Sequence, residues 1–249
     1  MNAVAHSIFT AIDSRANVLL EDRELQDAVS ARDRAAAIRA SVAAAAFVRT
    51  GTWDAKTDAD RTAGGFGLLV LDGVLVRRVG FANRVGGELL GPGDLLRPSE
   101  HDGEEATLPF EATWTVLRDL RLALLDRRWS QRMAPFPDVG IALTARALRR
   151  ARRLANMLTI ALHPKLDERL QLLMWEVADR YGRVHRDGVH IDLPLTHELI
   201  SELAGARRPS VSSALSRLVD KGLIERHDAG WILHGEPPGA IAPDAAAEH

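Results

Sequence analysis

Between residues 47 and 126 the chain is a succession of short apolar runs broken by glycine, proline and acidic residues: FGLLVLDGVLVRRVGF, GGELLGPGDLLRP, ATWTVLRD and LRLALLD. Runs of this length, bounded by turn formers, read as strands. Asp72-Gly73, set between two branched apolar runs, predicts a tight reversal, because glycine accepts the positive φ that such a turn requires. Gly91-Pro92-Gly93-Asp94 predicts another turn. Close-spaced strands without intervening helices favour a barrel or sandwich over a doubly wound sheet, and the chain has neither a dinucleotide fingerprint nor a Walker loop. Ahead of the strands, residues 21–46 (EDRELQDAVSARDRAAAIRASVAAAA) have the composition of one or two helices, since alanine loses little side-chain entropy on becoming helical.

After Asp138 the period changes from two to between three and four. In VGIALTARALRRARRLANMLTIALHPKL, Leu143, Ala147, Ala151, Leu154, Leu158 and Ala161 line one face of a long helix. Such a face buries either against a second copy of the chain or against the chain's own β domain, and the stripe alone does not separate the two. Arg146, Arg149, Arg150, Arg152 and Arg153 cover the remaining surface, to be solvated, to pair with carboxylates of the β domain, or to meet nucleic acid. His163-Pro164 predicts a break. Next, LDERLQLLMWEVADRYG reads as an amphipathic helix with Leu166, Leu170, Leu173, Met174 and Val177 inward, and Trp175 and Tyr181 as packing residues. Asp167 and Glu168 sit near its positive amino end.

The stretch LPLTHELISELAGARRPSVSSALSRLVDKGLIERHDAGWIL has the order helix, short turn, helix, small hairpin. Thr196 caps the first helix; Leu199 stands where a reciprocal capping box needs Glu or Gln, so only the single cap is expected. Gly205 permits the turn, and Pro209 suits the first turn of the second helix, where a missing amide hydrogen is harmless. With Val211, Leu215 and Leu218 inward, Arg208, Ser212, Ser213 and Ser216 fall on the exposed side. Arginine donates paired hydrogen bonds to guanine, and serine hydroxyls reach phosphates or base edges. An ordinary helical hairpin with solvated polar residues is the competing reading. The following hairpin, turning at Asp228-Ala229-Gly230, argues for a wing instead, with Arg226 either at a phosphate or solvated.

Composition adds limits. Of 249 residues, 46% are hydrophobic and 27% charged, a globular balance. A formal charge of −2 argues against a uniformly positive surface but leaves local basic patches open. The absence of cysteine excludes disulfides, cysteine-ligated zinc or iron–sulfur sites and a thiol nucleophile. MNAVAHSIFTAIDSR lacks the form of a signal peptide, and no apolar run reaches the roughly 20 residues that span a bilayer, so a cytoplasmic protein without membrane contact is expected. His101, near Asp102, Glu104 and Glu105, lacks a second histidine at metal-binding spacing. Neither His197 nor His227 has a catalytic setting, and no nucleophile elbow occurs. The residues therefore disfavour a metal-dependent enzyme, or any enzyme, and leave a winged-helix protein-interaction module as the alternative to a DNA-binding protein.

Over residues 17–235 the chain resembles the Crp/Fnr-type bacterial transcription regulators, most specifically in LPLTHELISELAGARRPSVSSALSRLVDKGLI. The resemblance implies an α+β protein: a cyclic-nucleotide-binding-like β barrel or jelly roll over 17–137, a connecting and dimerisation helix over 138–163, and a winged helix-turn-helix over 164–235. Residues 236–249, rich in proline and alanine, are expected to be a disordered tail. The resemblance also implies a homodimer formed through the Leu143 to Ala161 face, binding to double-stranded DNA, and a contact with RNA polymerase. Arg208 matches the family's usual arginine near the start of the recognition helix. Pro209 replaces a frequent glutamate and Ser213 a frequent arginine, so the family's operator sequence is not carried over. Arg208 is expected to read bases; Arg207, Ser210, Ser212, Ser213 and Ser216 to contact bases or phosphates; Thr196 to face the backbone; and Arg226 to touch a phosphate. Gly91-Pro92-Gly93-Asp94 resembles the turn before the family's phosphate-binding cassette, but Arg97-Pro98 stands where a Gly-Glu pair is usual. SEHDGEEATLPFEA holds no arginine and so no copy of the later arginine with its small hydroxyl residue, and Glu104, Glu105 and Glu111, facing the pocket without compensation, would repel a phosphate. Cyclic AMP is disfavoured and no cofactor is identified; another effector, a protein signal and ligand-independent action stay open.

Overall fold

The computed structural model describes residues 14–82, 84–98, 108–228 and 230–239. The predicted tail from residue 240 onward, the first 13 residues, and His101 with Asp102, Glu104 and Glu105 lie outside the described residues. The chain divides into two compact units, Met1–Arg153 and Leu154–His249.

The first unit begins with β1 (Arg15–Asn17), α1 (Val18–Glu21), α2 (Arg23–Ala28) and α3 (Arg34–Ala40). Next come β2 (Val42–Val48), β3 (Gly51–Trp53) and a 3-10 helix (Ala55–Thr62). The strands β4 (Gly67–Phe81), β5 (Arg84–Leu90), β6 (Leu95–Leu96) and β7 (Glu111–Leu125) lead into α4 (Arg127–Met133) and the start of α5 (Pro137–Ala161). The antiparallel sheet runs β1-β2-β7-β4-β5, with β3 on β7 and β6 on β4. Its described pairings form an open path from β1 to β5.

Three local expectations are corrected. The alanine run is helical only as far as Ala40; Val42–Val48 is a strand paired with β7, Ala44 opposite Leu124. Burial on both faces outweighs the few tenths of a kcal/mol per residue by which alanine prefers a helix. Asp72-Gly73 is a bulge inside β4 rather than a hairpin turn: both flanking runs pair with the same strand, β7, and the register shifts between Val70 and Leu75. Gly73 has φ +90° and a Cβ there would lie 2.2 Å from the Asp119 carbonyl oxygen, so the glycine is required at the bulge. ATWTVLRD and LRLALLD form a single strand, β7. The turn at Gly91-Pro92-Gly93-Asp94 is as expected, with the Asp94 amide donating to the Gly91 carbonyl at 3.0 Å.

Alternate residues of β4 and β7 enter two cores. Leu68, Val70, Leu75, Leu120 and Leu122 join Trp53, Leu90, Leu96 and Trp114, so β2 to β7 curl around a shared interior. On the outer face, Leu69, Ala123 and Leu125 pack with Leu19, Leu25, Trp129 and Leu143 from the helices. Trp129 is fully buried and donates its indole N–H to the Ser41 carbonyl at 2.9 Å, which ties α4 to the start of β2.

The second unit comprises α6 (Leu166–Tyr181), β8 (Gly182–His185), β9 (Gly188–Ile191), α7 (His197–Ala204), α8 (Arg208–Asp220), β10 (Ile224–His227) and β11 (Gly230–Leu233). Its antiparallel sheet has the order β10-β11-β9-β8. Leu170, Leu173, Met174 and Val177 of α6 are buried as expected, together with Leu199, Val211, Leu215, Leu218 and Trp231. Arg169 holds the segment before α6 and the end of α7, donating to the carbonyls of His163 and Ala204. Among the described residues no helix is long and apolar enough to cross a membrane.

Candidate functional site

The helix pair of the second unit is built by the residues that the sequence singles out. The Thr196 hydroxyl accepts the Leu199 amide at 3.1 Å and caps α7. Gly205 ends that helix at φ +61°, and no atom lies within 4 Å of where its Cβ would be, so it is backbone angle rather than crowding that selects glycine. The chain then turns through Ala206, whose amide donates to the Ser201 carbonyl, and α8 starts at Arg208 with Pro209 in its first turn.

Thr196, Arg207, Arg208, Ser210, Ser213 and Ser216 are all exposed. The first turn of α8 contains no acidic residue. Two guanidinium groups thus flank a helix amino end whose own partial charge is positive, a setting that attracts phosphate. Ser213 and Ser216 donate their hydroxyls to the carbonyls of Pro209 and Ser212, both at 3.2 Å, and keep oxygen lone pairs toward the surface. Ser212 is only half-exposed, and its Oγ lies 2.9 Å from Nδ1 of His197. Arg226 is exposed, donates to the Leu195 carbonyl at 3.2 Å and lies 4.9 Å from the Trp231 ring centroid, so it is braced against its own domain.

Three groups in this unit escape a reading of the sequence. His197 stacks on Trp231 and contacts Ser212. Arg217 makes two hydrogen bonds to Asp167, at 2.5 and 3.0 Å, joining α8 to α6. Those bonds, with Lys221 nearby, hold the Asp167 carboxyl below the usual carboxylate range. The hairpin β8–β9 is the third, although Asp187-Gly188 between two alternating runs is a turn signal.

Most of the arginines on α5 pair with carboxylates of the first unit. Arg146 is buried, bonded to Asp22 at 2.6 and 2.7 Å and to Glu24 at 2.9 and 3.2 Å. Arg149 binds Glu24, Arg150 binds Glu88, and Arg153 binds Asp94 at 2.7 Å. Arg152 is exposed. The Arg146 guanidinium loses solvation, which disfavours its charge, but Asp22 and Glu24 more than offset this and its pKa is raised.

The predicted apolar face of α5 divides. Leu143 is fully buried in the core of its own unit, Ala161 is half-buried, and Ala147, Ala151, Leu154 and Leu158 are exposed. A different line is exposed throughout: Ile141, Thr144, Leu148, Ala151, Ala155, Leu158 and, just past the helix end, Leu162. Its alternating steps of three and four are those of a coiled-coil seam. Ile141, Leu148 and Leu162 lie outside the predicted stripe, because periodicity alone does not say which of two adjacent apolar lines faces the domain core.

Within the first unit lies a cleft of about 790 Å³. Among the described residues Lys56, Arg77, Arg97, Arg150 and Thr144 supply its polar side chains, and Phe66, Leu95, Phe110 and Trp114 much of its apolar wall. Arg97-Pro98, the departure from the family's cassette, thus lines this cleft. Arg77 lies 5.7 Å from the Trp114 ring centroid. Among the described residues no group of three or more His, Asp or Glu is arranged to hold a metal ion.

A family model for the Crp-like helix-turn-helix domain matches residues 168–235. The CRP-like cAMP-activated global transcriptional regulator of Mycobacterium tuberculosis (strain ATCC 25618 / H37Rv) is 26% identical over 137 residues, which cover 52% of this chain and 60% of the relative's length. A CRP-family transcriptional regulator from Thermus thermophilus shares the fold with a TM-score of 0.57 at 20% identity, covering 75% of this chain and 89% of that one. A cyclic nucleotide-binding domain containing protein from Listeria monocytogenes EGD-e gives a TM-score of 0.60 at 14% identity, covering 76% and 87%.

Proposed function

We propose that this chain, which carries a Crp-like helix-turn-helix domain on the fold of the Crp/Fnr transcription regulators, acts as a homodimeric, sequence-specific DNA-binding regulator in the cytoplasm. That fold and domain are those of regulators rather than enzymes. The observation that carries the proposal is the amino end of α8, where exposed Arg207 and Arg208 flank a first turn free of acidic residues. In this reading Arg208 reads base edges in the major groove. Arg207, Ser210, Ser212, Ser213 and Ser216 contact bases or phosphates, Thr196 faces the backbone, and Arg226 approaches a phosphate from the wing.

Dimerisation in this reading uses the exposed seam of α5, with Ala151 and Leu158 at its centre and Leu148 beside them. Once one recognition helix is engaged, the second is held at high effective concentration near a half-site about 34–36 Å away. The curled sheet is read as the cyclic-nucleotide-binding-like jelly roll, and its cleft as the place where an effector acts. The Mycobacterium relative is named as cAMP-activated; Arg97-Pro98 in the cleft wall supports a different effector here. RNA polymerase is the further partner this reading entails.

The test is a salt series on the purified protein with specific and shuffled duplexes, combined with sedimentation. The expected result is a dimer whose affinity falls as salt rises and which prefers the specific duplex at every salt concentration. A monomer, or equal affinity for both duplexes, overturns the proposal.

A further inference from the structure

At two places in the chain a pair of arginines stands three and two positions before a hydroxyl residue: Arg127-Arg128-Trp129-Ser130 and Arg207-Arg208-Pro209-Ser210. Their settings differ. Trp129 is fully buried, Ser130 is half-buried, and its hydroxyl donates to the Asp126 carbonyl at 3.0 Å, so that segment is held in the first unit. Arg207, Arg208, Pro209 and Ser210 are all exposed. Among the described residues neither of these arginines has an ion-pair partner and the Ser210 hydroxyl has no hydrogen bond, whereas those of Ser212, Ser213 and Ser216 in the same helix are engaged.

Arg207 is extended, at φ −77° and ψ 136°, and α8 begins after it with no side-chain cap and with a proline in its first turn. Such a helix end opens at low cost, because its first amides have no partners within the helix to lose. Opened as far as Ser210, it presents an extended Arg-Arg-Pro-Ser strip with a free hydroxyl. A groove with carboxylates at the two arginine positions recognises that strip through charge-assisted bonds.

We infer that Ser210 is the phosphate acceptor for a serine/threonine kinase with an acidic substrate groove, and that its phosphate takes α8 off DNA. The acceptor stands on the motif and its exposure; the consequence for DNA rests on the regulator reading above. Ser210 Oγ attacks the γ-phosphorus of a magnesium-bound nucleoside triphosphate. The new O–P bond forms as the bond to the β–γ bridging oxygen breaks, the nucleoside diphosphate leaves, and the hydroxyl proton passes to a carboxylate base of the kinase. The product carries a charge of about −2 at the third residue of α8, where it meets Arg207, Arg208 and the amides of the helix end. It takes up the cations that would face DNA phosphates and sets like charge against the duplex.

The test treats the purified full chain with magnesium, ATP and the catalytic subunit of protein kinase A, a kinase of this groove type, and maps the product by mass spectrometry. About one phosphate per chain is expected, on Ser210, with none there in Ser210→Ala, and a rate at least about tenfold lower when Arg207→Ala and Arg208→Ala are combined. The phosphorylated chain should bind the specific duplex about tenfold or more weakly, with a slope of log affinity against log salt shallower by about two per recognition helix. Its melting temperature should be unchanged or up to about 4 °C higher, as an anion at a helix amino end stabilises it. No phosphate, phosphate mainly on Ser130 or another hydroxyl, an unchanged rate for the double variant, a lowered melting temperature, or undiminished DNA affinity after phosphorylation of Ser210 would each overturn the inference. Specific DNA binding without phosphorylation of Ser210 removes this inference alone. An unmodified chain with no preference for the specific duplex removes the regulator reading and the consequence for DNA with it, while the mapping still decides the acceptor.

Discussion

Nδ1 of His197, the first residue of α7, lies 2.9 Å from Oγ of Ser212 in α8, and the same imidazole stacks on Trp231 of β11 at 6.0 Å between ring centroids. One side chain thus connects both helices of the motif to the wing sheet. Ser212→Ala should cost about 1 kcal/mol of stability, the share of one hydrogen bond. Paired with His197→Ala in a double-mutant cycle read by urea melts, it should give a coupling of about 0.5–1.5 kcal/mol; additive effects would show that the contact contributes nothing.

Arg146 and Arg149 differ in burial, and their loss should differ accordingly. Arg146→Ala leaves Asp22 and Glu24 without their shared partner beneath α5 and should destabilise the first unit by about 3–5 kcal/mol. Arg149→Ala, at a half-exposed pair, should cost no more than about 1 kcal/mol. Thermal melts of the two variants check the contrast.

Leu143 and Leu148 lie on different faces of α5, one fully buried and one exposed. Leu148→Glu, alone or with Leu158→Glu, should give a folded monomer by sedimentation, because a charge would be placed in the apolar seam. Leu143→Ala should instead lower stability by about 2–5 kcal/mol and leave the association state unchanged, since it opens a cavity inside one chain.

Asp167 carries an acid-dependent part of the second unit's stability. Arg217 and Lys221 hold its folded-state carboxyl below the ordinary carboxylate range. Its contribution is therefore complete above that range and is lost as pH falls through it toward the depressed value. Melts taken from neutrality into acid should show a steeper acid limb for the unaltered protein than for Asp167→Asn, and an unchanged limb would place the acid sensitivity elsewhere.

How much of the molecule is legible in its sequence depends on how local the determining physics is. Thr196, Gly205 and Pro209 act through their own backbone within a few residues, and each performs in the fold the role that its sequence position predicts. Asp72-Gly73 is misleading because the outcome turns on whether its flanking runs pair with each other or with a third strand, and β7 lies about forty residues or more along the chain. Val42–Val48 follows the same rule: helix propensity is local, whereas the burial that overrides it is not. The exposed face of α8 is legible because polar residues alternate there with the inward apolar line Val211, Leu215 and Leu218. The seam of α5 is only half legible, because the β domain covers Leu143 and leaves Leu148 open.

The most direct measurement is selection from random duplex DNA by the purified full chain, run in parallel with Arg208→Ala. The account predicts one recurrent, two-fold symmetric site with half-sites one helical turn apart, and an Arg208→Ala protein that has lost about 1–3 kcal/mol of discrimination at one base pair in each half-site. Recovery of no common sequence by the unaltered chain, or an identical site profile from the two proteins, would contradict it.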